Sequence, residues 1–171
     1  MSKRVVFDPY ALFAALDSER VGYVLVGGFA RVVHGSAEVT DGLDIVPSLQ
    51  PENLRRLARA LEQVGADEPA LADRLESNEP VTKRTRAGEL RIVPEPWGTR
   101  GYDDLRIRAY RENLGQGARP AVASAVDCVR MLDASDRQRD AERLVRMRRL
   151  MELERQLVRD RRLSRGLSIE R

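Results

Sequence analysis

The stretch YVLVGGFARVVHGSAEVTDGLDIV, residues 23–46, decides the fold. Its first four residues form an apolar run long enough for one buried strand. Gly27 and Gly28 break that run, and residues 29–33 then read as a short helix ending at His34-Gly35. A polar crossing follows, and residues 43–46 form a second strand with Asp44 between two apolar neighbours. A diglycine turn between strand and helix lets backbone N–H groups approach an anion. An acid on the next strand can hold a divalent cation beside that anion. The same residues also suit a tight strand-to-helix turn with no ligand, so the diglycine alone leaves both readings open.

On the N-terminal side, Asp8-Pro9 predicts a helix start, with residues 10–16 packing on the core. Residues 18–22 turn the chain into the first strand. On the C-terminal side, a loop reaches Pro51 at the next helix start, where Leu54, Leu57, Ala58, Leu61 and Val64 recur at helical spacing. A short helix is expected at 71–75. Residues 81–85 and 89–93 read as a hairpin closed by Arg86-Ala87-Gly88, with Leu90 and Ile92 on one face and Glu89 and Arg91 on the other. The loop PEPWGTRG, 94–101, leads to a helix expected over 102–110. A brief strand at 121–123 follows, and Ser124 caps a helix from 125 to about 134.

Residues 139–162 form the longest helical segment, with Leu144, Met147, Leu150, Met151, Leu157 and Val158 as its apolar stripe. Its other positions mix arginines with acids, the pattern of a solvated, salt-bridged helix. Residues 159–165 have few compensating acids and are expected to fray. Residues 1–135 are thus read as the core domain and 136–171 as a basic C-terminal helical segment packed on it.

The composition of the 171-residue chain suits one domain with a real core. No apolar run is long enough to span a membrane and no secretory leader is evident, so a cytoplasmic protein is the simplest account. The single cysteine, Cys128, excludes an intrachain disulfide, and the single histidine, His34, excludes a multi-histidine metal site. The net charge is +3, and Lys3 and Lys83 are the only lysines. Arginine suits phosphate where bidentate geometry matters, but this enrichment also fits a biased genome.

Four groups have structural readings beside functional ones. His34 suits a helix end or a bond across the loop better than a base, and Cys128 suits the core. Trp97 and Tyr102 either stack on a base or pin their loop. Asp127, Arg137 and Asp140 fit a charge network or a nucleotide contact equally.

The run VLVGGFARVVHGSAEVTDGLDIV resembles the opening motif of the nucleotidyltransferase superfamily, in particular its small bacterial branch of abortive-infection and toxin–antitoxin nucleotidyltransferases. The likeness extends through RIVPEPWGTRGYDDL and the helix around Asp127 to Arg137-Gln138-Arg139-Asp140. It implies an α/β (α+β) fold, a small mixed sheet flanked by helices with a C-terminal helix. It also implies a nucleoside triphosphate held by Gly27, Gly28, Thr40, Arg91 and Arg137, and Mg²⁺ held by strand carboxylates such as Asp44 and Asp41. An RNA (tRNA) or protein acceptor, a cognate antitoxin and no membrane complete the picture.

The chain departs from this pattern. The position two before Asp44 is Gly42, where the family carries an acid, and Asp41 is expected on the opposite face unless a bulge at Gly42 turns it. The family's third carboxylate position holds Arg91, its helix lysine is Leu132, and Glu38 stands where relatives carry arginine. Two readings follow. In one, catalysis runs through an altered set of Asp41, Asp44 and Glu89. In the other, the chain is an inactive nucleotide-binding or protein-interaction module.

Overall fold

The computed structural model describes residues 6–167, with side chains as far as Arg162. The elements run α1 (Pro9–Ser18), β1 (Tyr23–Val26), α2 (Gly27–Val33), β2 (Gly42–Pro47), α3 (Pro51–Gln63) and α4 (Leu71–Glu76). Then come β3 (Val81–Thr85), β4 (Gly88–Ile92), α5 (Tyr102–Leu105), β5 (Tyr110–Arg111), β6 (Ala121–Val122), α6 (Ala125–Asp133) and α7 (Gln138–Leu167). Six strands form one sheet in the order β3-β4-β2-β1-β6-β5. The pairs β1–β2, β3–β4 and β5–β6 are antiparallel, whereas β2–β4 and β1–β6 are parallel. This is the mixed sheet with flanking helices that the motif implied.

Local chemistry explains the helix starts. The Asp8 side chain accepts from the Ala11 N–H with Pro9 in the first turn, and Ser124 Oγ accepts from the Asp127 N–H. The amphipathic α3 buries Leu54, Leu57, Ala60 and Leu61. Helices α1, α3 and α4 pack in sequence, while α2, α6 and α7 form a second group. The alternation read for β4 holds, since Leu90 and Ile92 are buried while Glu89 is exposed and Arg91 half-buried.

Three expectations change. Helix α5 ends at Leu105, not residue 110, and Tyr110 belongs to edge strand β5. Leu105 is buried but Ile107 is 77% exposed, so no apolar stripe sustains the helix beyond its first turn. Helix α2 begins at Gly27, two residues earlier than read, because the glycines themselves form its first turn. The third change is at the C-terminus, where α7 stays helical through 159–165 to Leu167.

Candidate functional site

The strand-to-helix junction places the site. Gly27 has φ +68°, which allows β1 to turn directly into α2. Val26 pairs with Asp44 across β1 and β2, and the Asp44 carboxylate packs on Gly27 where a Cβ would stand. On the other side of β2, Gly42 pairs with Glu89 and Asp44 with Arg91 in parallel register. A Cβ at Gly42 would run into the Glu89 carbonyl oxygen and Cβ, so this close approach of β2 to β4 requires glycine.

The result is one cleft with two lobes. A cavity of about 320 Å³ and a groove of about 460 Å³ share Arg31, Asp44, Arg91, Arg137 and Arg143. Gly27 borders the cavity, while Gly28, Thr40, Asp41 and Glu89 border the groove. Asp41, Asp44, Glu89, Gly27, Gly28, Thr40, Arg91 and Arg137, the residues that the resemblance marks, all border this cleft, whereas Tyr102 and Asp127 do not. Asp41 shares the groove with Asp44 without a bulge. It precedes the strand, where alternation does not govern it, and the β2–β4 register runs unbroken from Gly42 to Ile45.

The cavity end sets an apolar wall of Pro80, Val93, Pro96, Trp97, Met131 and Leu132 beside charged residues, Glu95 and Asp140 among them. The Arg137 guanidinium stacks on the Trp97 ring 4.8 Å from its centroid, and the indole remains 48% exposed. Cys128 also lines this wall, its thiol pushed up to about 12 by burial, so it is an inert core residue. Tyr102 is half-buried against the core and lies outside this cavity.

The groove end is polar and internally paired. Burial raises the Asp44 carboxyl above the ordinary aspartate value, against the opposing charges of Arg91, Arg31 and Arg137. Glu38 accepts two hydrogen bonds from Arg31, at 2.7 and 2.9 Å, and a third from Ser36 Oγ at 2.9 Å. Arg143 of α7 approaches the same carboxylate at 3.2 Å. This lock was not legible in the sequence, although Glu38 in place of an arginine signalled a change. The Thr40 hydroxyl donates to the Gly42 carbonyl oxygen at 2.9 Å, so it supports the turn into β2.

The resemblance read in the sequence implies Mg²⁺, and the donor set here does not fit it. Among the described residues, no group of three or more His, Cys, Asp or Glu side chains is placed to hold a metal ion. Asp41, Asp44 and Glu89 border the groove without forming such a group. Gly42 cannot carry a carboxylate without displacing β4, and Arg91 sits beside Asp44. At the strand spacing of about 5 Å, a cation next to Arg91 meets repulsion on the order of several kcal/mol.

The remaining groups make contacts within the fold. His34 Nε2 bonds the Ala123 carbonyl oxygen at 2.8 Å. Asp127, Arg137 and Asp140 do not form one network. Asp127 is fully buried and meets Ser124, Arg108 and Arg130, whereas Asp140 is held by Ser135 and Arg143. Arg143, one of the arginines of the helix read as solvated, binds inward to Glu38 and Asp140.

No protein-family model matches the chain, and no curated protein does. Among solved structures, the solution structure of the antibiotic-resistance factor ANT(2'')-Ia is similar over 94% of both chains, with a TM-score of 0.53 and 14% identity. That likeness carries the fold, which is nucleotidyltransferase-like.

Proposed function

We propose that this protein is a nucleotide-binding module on a nucleotidyltransferase-like fold and does not itself transfer nucleotides. One observation carries the reading: Asp44, the carboxylate that faces the diglycine turn, is flanked in register by Gly42 on its own strand and Arg91 on the next. Two-metal transfer needs carboxylates that converge on a shared pair of cations. Here one acid of the family pattern is replaced by a glycine that has no room for a side chain, and another by a cation. The Trp97–Arg137 stack at the apolar end supplies a surface for a planar base.

The test is calorimetry with nucleoside triphosphates in Mg²⁺ and in EDTA, alongside an assay for pyrophosphate release. Binding indifferent to Mg²⁺, with no pyrophosphate, is the expected result. Mg²⁺-dependent pyrophosphate release abolished by Asp44→Asn would establish the altered carboxylate set of Asp41, Asp44 and Glu89 instead.

A second reading, contact with a protein partner, is favoured by α7. Its residues 152–162 are exposed, so Leu157 and Val158, expected in the stripe packed on the core, do not pack there and lie open with Leu153. The abortive-infection or toxin–antitoxin affiliation, and with it a cognate antitoxin or an RNA or protein acceptor, rests on the sequence motifs.

A further inference from the structure

We infer that the cleft recognises a nucleoside through its base end and draws no affinity from a polyphosphate. The inference rests on the proposed nucleotide-binding reading and names the ligand class within it. Its basis is the charge that lines the cleft.

Five arginines border the two lobes among the described residues: Arg31, Arg91, Arg137, Arg139 and Arg143. Six carboxylates border the same lobes: Glu38, Asp41, Asp44, Glu89, Glu95 and Asp140. Two of the arginines are already engaged, Arg31 by Glu38 at 2.7 Å and Arg143 by Asp140 at 2.8 Å. That leaves Arg91, Arg137 and Arg139 among the lining residues, against Asp41, Asp44, Glu89 and Glu95. Among the described residues, the cleft is thus rich in cations but carries no net positive charge. A bound triphosphate adds several negative charges, and in this fold family magnesium offsets them. Without a fitting metal site, each phosphate added to the ligand meets a carboxylate for every arginine that it reaches.

Size and polarity point the same way. The apolar lobe, about 320 Å³, lies at the small end of the roughly 300–1,000 Å³ typical of ligand pockets. Its wall joins the indole of Trp97 to Met131 and Leu132, with Ser135, Arg137 and Glu95 among the polar groups that also line it. That set can sandwich a planar ring and hydrogen-bond its edge. Leu132, standing where the family pattern has a lysine, puts an apolar surface there in place of a charge.

The experiment is a calorimetric series at low salt in EDTA. Adenosine, guanosine, cytidine and uridine are each titrated as nucleoside, 5′-monophosphate and 5′-triphosphate. For the best-bound base, the nucleoside is expected to match or exceed its triphosphate, within about threefold in Kd. A triphosphate that binds tenfold or more tightly than its nucleoside overturns the inference while leaving the nucleotide-binding reading intact. No binding by any member overturns both.

The double variant Asp41→Asn/Glu89→Gln removes two groove charges. It should gain roughly tenfold in triphosphate affinity with the nucleoside unchanged. Unchanged triphosphate affinity in that variant also overturns the inference.

Discussion

The carboxylate of Asp44 fills the space that a Cβ on Gly27 would occupy. The two residues belong to different elements, and each restricts what the other can be. Gly27 must be glycine twice over, for its φ of +68° and for this contact. Gly27→Ala should therefore destabilise the protein by about 2 kcal/mol or more. In Gly27→Ala/Asp44→Ala the carboxylate is gone but the Cβ at position 44, 2.9 Å from the new one, remains, so the cost should fall only part of the way towards about 1 kcal/mol of left-handed backbone strain. Urea unfolding of the two single variants and the double completes the cycle. Strict additivity would show that the contact is energetically silent.

Asp44 also carries a pH signature. Burial raises its carboxyl in the folded state, so ionisation opposes folding. Its contribution to stability is present below the ordinary aspartate value of about 3.9 and is lost as pH rises through the raised folded value. Asp44→Asn should raise Tm at neutral pH, and the gain should vanish in acid. Scanning calorimetry from neutral pH into acid checks the sign.

Glu38 and Asp140 behave in the opposite sense. Burial pushes the Glu38 carboxyl up, but the Arg31 hydrogen bonds and charge, with Ser36 and Arg143, more than reverse this and hold it below the usual range. Asp140 is likewise lowered overall, by Ser135 and Arg143 against its burial. The stability both add is present above the ordinary carboxylate range of about 4 and is lost as pH falls through their lowered values. Glu38→Ala leaves the buried Arg31 without its bidentate partner and should cost about 3 kcal/mol at pH 7. That penalty should shrink in acid, where the parent loses the same charge. A pH-independent penalty would mean that packing, not the ion pair, is what was removed.

Placing at position 42 the acid that the resembled sequence pattern carries should fail. Gly42→Asp drives a side chain into the Glu89 carbonyl, and its expected cost is about 2–3 kcal/mol. No Mg²⁺-dependent rise in Tm should accompany it. A variant as stable as the parent and further stabilised by Mg²⁺ would show that β2 and β4 can separate to build the site.

Trp97 is the only tryptophan, so its fluorescence reports the cavity end directly. Nucleoside binding should change the emission, and Arg137→Ala should weaken binding by about five- to thirtyfold, equivalent to a stacking contribution near 1–2 kcal/mol. Emission that follows Arg137→Ala but not the ligand would place the ligand elsewhere.

Much of the site was legible in residues 23–46 and in the hairpin, because strand periodicity is a local property. Alternation alone put Glu89 and Arg91 on one face of β4, and the apolar run with its diglycine located the junction of β1 and α2. The carboxylate departures at Gly42 and Arg91 were visible from position. Tertiary structure decided what they mean. Only the parallel pairing of β2 with β4 sets Gly42 against the Glu89 carbonyl and Arg91 beside Asp44. The fold also had to bring α7 back over the loop before Arg143 could reach Glu38, and to close the 94–101 loop before Arg137 could cover Trp97. The end of α5 was misread because helix-compatible residues follow Leu105, whereas pairing with β6 takes Tyr110 and Arg111 into the sheet edge. Periodicity along the chain gives the face on which a side chain lies. Which charge meets it across that face depends on packing between segments distant in sequence, and no local pattern encodes that.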